Sequence, residues 1–221
     1  DLIDTYEWSY DLPVHEFMGM KSARKVFREA TGVVGAITPW NFPLMLNLAK
    51  LAPALAAGNT VVLKAAPDTP WSATYLGKLI AEETDIPAGV VNVIASGDKA
   101  AVGEVLTGDP RVDMISFTGS TGVGKRIMAR GSDTLKKVFL ELGGKSANVV
   151  FADADLDRCV DRSVASVFGN CGQDCCSRSR ILIEEPIHDE FVERFAARTD
   201  ALRVGQPLDD DTEIGPMISQ G

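Results

Sequence analysis

From residue 32 onward, short runs of β-branched residues alternate with longer amphipathic stretches, and no other feature restricts the fold so tightly. Residues 32–38 read as a buried strand. Residues 43–57 follow as a helix, with Pro43 in its first turn and Gly58-Asn59 as its stop. The rhythm continues with strands at 60–64, 90–95 and 112–117 and helices at 71–84, 100–107 and 121–130. Continuous apolar strands separated by helices predict a parallel sheet covered on both faces, built from right-handed βαβ units. The expected class is α/β, with a Rossmann-like sheet over residues 32–142. A second α/β unit is expected over 143–221, with strands at 146–151 and 180–184, a helix at 154–168 opened by Asp153, and a helix at 188–202. Residues 1–31 stand apart, and 22–27 read as an exposed strand or hairpin arm.

Composition narrows the function classes. Hydrophobic residues make up 45% and charged residues 24%, a globular balance rather than a disordered one. A net charge of −9 argues against nucleic-acid or anionic-membrane partners. No apolar run reaches the ~18 residues of a spanning helix, and the longest candidate, 44–57, is interrupted by Lys50 and Pro53. Residues 1–11 have neither a basic head nor an apolar stretch, so no signal peptide is expected; the chain, starting at Asp1, reads as a piece of a longer protein. Asp209-Asp210-Asp211 reads as a solvated turn. Cys159, Cys171, Cys175 and Cys176 all lie in the second half, and the neighbours Cys175 and Cys176 do not pair without strain. Two separated Cys-x-x-Cys pairs with a nearby histidine are absent, so no metal site is expected. Reduced thiols in a cytoplasmic compartment are the expectation.

Two segments carry chemistry. Phe117-Thr118-Gly119-Ser120-Thr121-Gly122-Val123-Gly124-Lys125 follows a strand and opens a helix, where glycines admit a pyrophosphate and the helix N-terminus offers free N–H groups. Its order, G-x-x-G-x-G, is neither the usual dinucleotide fingerprint nor a Walker loop, and the same pattern also suits a purely structural turn. Asn170-Cys171-Gly172-Gln173-Asp174-Cys175-Cys176 supplies a thiol in a Gly-containing turn, and Glu141 in Leu140-Glu141-Leu142-Gly143-Gly144-Lys145 supplies a carboxylate base. The histidines, His15 and His188, sit in no motif, so a Cys–His or Ser–His–Asp reading starts poorly. Thiol and glutamate beside a phosphate loop point to aldehyde chemistry with a nicotinamide cofactor.

These motifs, together with Thr38-Pro39-Trp40-Asn41-Phe42-Pro43 and Lys64-Ala65-Ala66-Pro67-Asp68-Thr69-Pro70, occur in one order that closely resembles the aldehyde dehydrogenase superfamily over nearly all of residues 12–221. The resemblance implies that Cys175 is the nucleophile. It also implies that Asn41 and the Cys175 backbone N–H form the oxyanion hole and that Glu141 is the base for the deacylating water, which partial burial beside Leu140 and Leu142 would poise near neutral pH. On the cofactor side it implies that Lys64 holds the adenosine ribose and that Gly119 and Ser120 meet the pyrophosphate. Trp40 and the Leu142 backbone would flank the nicotinamide half, and Gly97 and Gly103 the adenine. Thr38, Pro39, Pro67, Val123 and Gly143 complete the implied contacts. Lys50 would tie the oxyanion loop to the following helix. Phe42, Leu46 and Ala49 would line the substrate tunnel, and residues 12–30 an oligomerisation hairpin, so a homo-oligomer (dimer or tetramer) is expected.

Several positions depart from the pattern. Pro67 stands where many NAD-preferring relatives carry glutamate, which relaxes discrimination against a 2′-phosphate; NAD is the expected cofactor and NADP the alternative. Asp174 before the nucleophile suggests a cationic substrate such as an aminoaldehyde, unless it only caps a turn. Cys176 either fills space or, under oxidation, takes a reversible disulfide or sulfenic cap. Full family members are roughly twice this length and carry a later glutamate–phenylalanine segment, so the piece alone is not expected to be active. The rival readings are a coenzyme-A-acylating relative, against which Glu141 speaks, and a non-catalytic cofactor-binding relative. Asn41 as a mere helix cap and Glu141 as an ion-pair residue are the structural alternatives at those two positions.

Overall fold

The computed structural model describes residues 2–220. They form two compact units, one running to Glu141 and the other starting at Leu142.

The first unit is built on a five-stranded sheet. Its strands β3 (Val33–Ile37), β4 (Thr60–Lys64), β5 (Val91–Ile94), β6 (Met114–Gly119) and β7 (Lys137–Leu142) lie in the order β5-β4-β3-β6-β7. The pairs β3/β4, β4/β5 and β3/β6 are parallel. Helices α2 (Pro43–Ala56) and α3 (Pro70–Glu83) pack against each other, as do α4 (Ala101–Gly108) and α5 (Thr121–Gly131). After β5 the chain crosses back past β3 to β6, and right-handed crossovers in opposite directions place the two helix pairs on opposite faces. Val34, Ala36, Val61 and Leu63 of the central strands are buried with Leu51 of α2 and Ala73 of α3. The α/β class with a parallel sheet is thus the observed one.

The fifth strand, β7, was not among the expected elements. Its residues alternate exposed and half-buried, as befits a sheet edge with one covered face, whereas continuous apolar runs mark only the inner strands. Before the sheet comes a short helix, α1 (Leu2–Thr5), then an antiparallel hairpin of β1 (Ser9–Phe17) and β2 (Met20–Phe27). Met18 and Gly19 turn it with φ of 50° and 74°, the positive pair that a two-residue type I′ turn requires. Val14, Phe17, Met18, Met20 and Phe27 are all exposed on it.

In the second unit, β8 (Ala147–Val150) and β9 (Arg180–Ile183) pair in parallel, and α6 (Leu156–Phe168) packs on α7 (His188–Asp200). Val150, Val160 and Phe191 form the buried centre. The rings of Phe191 and Phe195 stack at 5.9 Å. Helix α6 starts two residues later than expected: its cap is Asp155, which accepts the Arg158 N–H at 3.1 Å, and not Asp153. No helix among the described residues is long and apolar enough to cross a membrane.

Candidate active site

The order β5-β4-β3-β6-β7 reverses direction between β3 and β6, because one chain connection leaves β3 toward β4 and the other returns to β6. At such a switch point the loops leaving the two strands part and open a crevice at their carboxyl ends. A cleft of about 310 Å³ lies there. Thr38, Pro39 and Trp40 line it from β3, Lys64 and Pro67 from β4, Phe117, Thr118 and Gly119 from β6, and Gly103 and Val123 from α4 and α5. These expected cofactor residues are therefore brought together. Gly97 is not among them and is exposed.

Three features fit this cleft to a dinucleotide. Ser120 caps α5, its Oγ accepting the Val123 N–H at 3.4 Å, so the helix presents its N-terminal end at the cleft. The Thr118 Oγ1 is buried without a hydrogen-bond partner among the described residues, although its residue lines the cleft. A buried hydroxyl left unpaired costs roughly 1–3 kcal/mol, which a ligand's oxygen or an ordered water would recover. Lys64 is buried, and desolvation lowers its ammonium pKa, opposed by the nearby carboxylates Asp98 and Asp68. An anionic ligand would oppose that shift in the same way. The Lys64 carbonyl accepts both the N–H and the Oγ1–H of Thr38, at 3.2 and 3.3 Å, which fixes the start of the Thr38-Pro39-Trp40 turn. At the rim, Lys99 pairs with Asp68 at 3.4 Å and Arg126 with Glu104.

Asn41 lies half-buried in the bend between β3 and α2. Phe42, the next residue, holds the cap position of α2 with no side-chain cap bond of its own. Further along α2, Lys50 is buried and donates to Ser116 Oγ on β6 at 3.1 Å, with its ammonium 6.0 Å from the Phe139 ring centre. Lys50 thus ties α2 to the sheet, which differs from the expected tie to the loop. Burial lowers its pKa from 10.5 to about 8, and the Glu141 carboxylate partly offsets this. Glu141 itself is exposed, not partly buried as expected. In a strand, neighbours point to opposite faces, so Leu140 and Leu142 turn away from it and cannot bury it. Ser116 was not singled out from the sequence. A lone serine in the apolar run Met114-Ile115-Ser116-Phe117 was the available signal for a buried polar partner.

In the second unit the chain approaches Cys175 through three successive left-handed residues, Asn170, Cys171 and Gly172, with φ of 52°, 58° and 73°. The left-handed region costs a residue with a Cβ roughly 1–2 kcal/mol, and local bonds hold it. Asn170 Nδ2 donates to the Gln173 carbonyl at 3.2 Å, and Gln173 Nε2 donates back to the Asn170 carbonyl at 3.1 Å. Ser177 Oγ then anchors the turn to α6 through the Ser166 carbonyl at 3.2 Å. Gly144 passes so close that a Cβ there would stand 3.3 Å from the Cys175 carbonyl oxygen.

Cys175 is half-buried and its sulfur lies 3.7 Å from that of Cys176. Burial pushes the Cys175 thiol pKa up, with further contributions from Cys176 and Asp174. Burial thus favours the thiol over the thiolate at this sulfur. Asp174 Oδ1 accepts the Cys176 N–H at 2.9 Å, the turn-capping arrangement. Cys176 is exposed and fills no interior space. Cys159 packs against the second core, Cys171 donates to the Gly215 carbonyl at 3.3 Å, and all four cysteines are free. Leu142 and Gly143 open this unit, Leu142 half-buried and Gly143 exposed.

The fold therefore defines an α/β protein of the dinucleotide-binding type, with a separate thiol-bearing unit. Residues 3–221 match the model of the aldehyde dehydrogenase family, and the chain belongs to that family. It is 51% identical over 193 residues to an aldehyde dehydrogenase of Emericella nidulans, covering 87% of this chain but only 38% of that relative. Among solved structures, it is similar to an Escherichia coli NADP-dependent enzyme, with a TM-score of 0.88, 42% identity, and coverage of 96% of this chain and 43% of that one. It is also similar to betaine aldehyde dehydrogenase from Staphylococcus aureus in complex with NAD+, with a TM-score of 0.90, 36% identity, and coverage of 99% and 42%. The chain spans about two-fifths of the length of these relatives.

Proposed function

We propose that the protein to which this chain belongs oxidises an aldehyde to a carboxylic acid with a nicotinamide cofactor, using Cys175 as nucleophile. The observation that carries the reading is the cleft at the carboxyl ends of β3 and β6, with the Ser120-capped end of α5 and the unpaired Thr118 hydroxyl at its wall. Thr38, Trp40, Lys64, Gly119, Ser120 and Val123 would hold the dinucleotide, whose chemistry when bound is acceptance of a hydride.

The chain's own residues do the rest. The Cys175 sulfur, once deprotonated, attacks the aldehyde carbon. The Asn41 amide and the Cys175 backbone N–H donate to the oxygen as it gains charge, forming a thiohemiacetal. After oxidation to the thioester, Glu141 takes a proton from water, which attacks the acyl carbon and frees the sulfur with the acid product. An exposed carboxylate in electrostatic contact with the buried Lys50 has ready access to that water. The gathering of Cys175, Asn41 and Glu141 at one aldehyde site belongs to this proposal.

The cofactor is proposed as NAD, with Pro67 leaving NADP admissible; relatives solved with NAD+ and named for NADP both occur. An aminoaldehyde is the proposed substrate class, because Asp174 sets a carboxylate in the same turn as Cys175, and a similar protein is named for betaine aldehyde. The apolar hairpin of β1 and β2 supports self-association, since exposed patches of this kind usually mark contact surfaces.

Rapid mixing of the full-length protein with aldehyde and cofactor tests the reading. A burst of reduced nicotinamide is expected, absent in Cys175→Ala, with free acid as product whether or not coenzyme A is present. A full burst from Cys175→Ala would overturn the nucleophile, and an acyl-coenzyme A product would overturn the role of Glu141. The 221-residue chain alone is expected to show no turnover.

A further inference from the structure

Asp174, Cys175 and Cys176 present one carboxylate oxygen and two sulfurs, and these ligand atoms all lie within 4.8 Å of one another. The two sulfurs are 3.7 Å apart. A tetrahedral ion holding two thiolates at the ~2.3 Å of a zinc–sulfur bond needs its sulfurs ~3.8 Å apart. The pair therefore already has the spacing of one edge of such a chelate. The Cys176 N–H bonded to Asp174 Oδ1 at 2.9 Å fixes the carboxylate over the same turn. Exposure of Cys176 gives an ion a path in from solvent.

The donor set also selects the ion. Two thiolates and a carboxylate are soft and together strongly negative, which suits zinc or cadmium and not the oxygen-seeking magnesium or calcium. Three donors leave one tetrahedral position for water. The other two sulfurs are engaged elsewhere, Cys159 in the second core and Cys171 on the Gly215 carbonyl.

We propose that Asp174, Cys175 and Cys176 form a chelating site for a thiophilic divalent cation of the zinc class, whose occupation withholds the Cys175 sulfur from substrate. On binding, two sulfur–hydrogen bonds are exchanged for two sulfur–metal bonds, two protons pass to solvent, and nothing is oxidised or reduced. The chelate rests on geometry alone. Its effect on turnover rests on the nucleophile assigned to Cys175 under the proposed function.

Two titrations of the full-length protein test both parts. Cadmium should produce thiolate-to-metal absorbance in the ultraviolet at one equivalent per chain, lost in Cys175→Ala. Zinc should abolish the aldehyde-dependent burst, and a chelator should restore it. Cys176→Ala and the closer mimic Cys176→Ser keep the nucleophile, should keep the burst, and should need at least about tenfold more zinc for the same inhibition. Zinc sensitivity unchanged in both Cys176 variants would overturn the site, as would cadmium absorbance indifferent to Cys175→Ala. Absorbance that depends on both cysteines, with the burst untouched by zinc, would instead remove the nucleophile assignment and leave the chelate standing.

Discussion

The cleft of the first unit and the thiol turn of the second solve opposite physical problems. The cleft is made of strand ends: its wall residues follow β3, β4 and β6, whose registers are locked by the parallel ladder. Its shape comes from the sheet, and its ligand-seeking groups are backbone N–H ends, one unpaired hydroxyl and a buried lysine. The thiol turn has no ladder. It is held in left-handed backbone by a few side-chain bonds and by the absence of a Cβ at Gly144. A binding surface tolerates such generality, because a long ligand averages over many contacts. A nucleophile does not, since one sulfur must stand at one place, and local strain is a common way to hold it.

If that contrast and the proposed mechanism hold, substitutions at groups assigned to the reacting aldehyde should act on rate and those in the cleft on binding. The largest effect short of removing Cys175 is expected from Asn41→Ala. Loss of one oxyanion donor should lower kcat by about 10²–10³-fold with little change in cofactor affinity. Stopped-flow rates beside a cofactor titration check this, and an equal loss in both would break the division. Gly119→Ala should do the reverse. A Cβ there would stand 2.5 Å from the Phe117 ring, which must shift within the cleft wall. Cofactor Kd, followed by calorimetry, should rise by roughly tenfold, about 1.4 kcal/mol, with the acylation rate at saturation nearly unchanged.

Lys50→Met sharpens the comparison within the first unit. The folded-state pKa of about 8 lies below the ordinary 10.5. Between those values the unfolded chain holds a proton that the folded chain has lost, so stability rises with pH across this window. Below about pH 8 both states are protonated and the burial penalty is complete. Lys50→Met should remove that slope, seen in denaturant melts at several pH values, while the lost bond to the buried Ser116 hydroxyl offsets the relief of the burial penalty near neutral pH. Loss of the coulombic interaction between Lys50 and Glu141 should also alter the pH profile of turnover.

The smallest effect is expected at Asp174. Its charge is one of the lesser contributions raising the Cys175 thiol pKa, behind burial and Cys176. Asp174→Asn should shift the pH dependence of Cys175 alkylation by iodoacetamide modestly toward lower pH. In the full-length protein it should also lower kcat/KM for an aminoaldehyde relative to a neutral aldehyde. An unchanged ratio would end the cationic-substrate proposal.

Legibility in the sequence followed periodicity closely. The inner strands β3, β4 and β6 are continuous apolar runs, burial on both faces requires such runs, and they were read within two residues of their observed ends. β7 escaped because Lys137-Val138-Phe139-Leu140-Glu141-Leu142 alternates charged and apolar positions at a sheet edge. β1 was reached only through the resemblance, which implied a hairpin over 12–30, because Ser9–Phe17 has no apolar run and contains Pro13, which marks edge pairing. Asp153 and Asp155 are equally good caps as residue types, and only the geometry of the first turn separates them. Glu141 was misjudged because its sequence neighbours were taken as its surroundings, when strand alternation sends them to the other face.

The sequence by itself determined the α/β class and the residue types available to the site, because hydrophobic period and turn chemistry are local properties. Tertiary structure alone decided that Lys50 meets Ser116 and that the Thr118 hydroxyl is buried without a partner among the described residues. Those facts depend on which side chains from distant segments reach the same point, and on how much water remains there, which no short stretch of chain encodes.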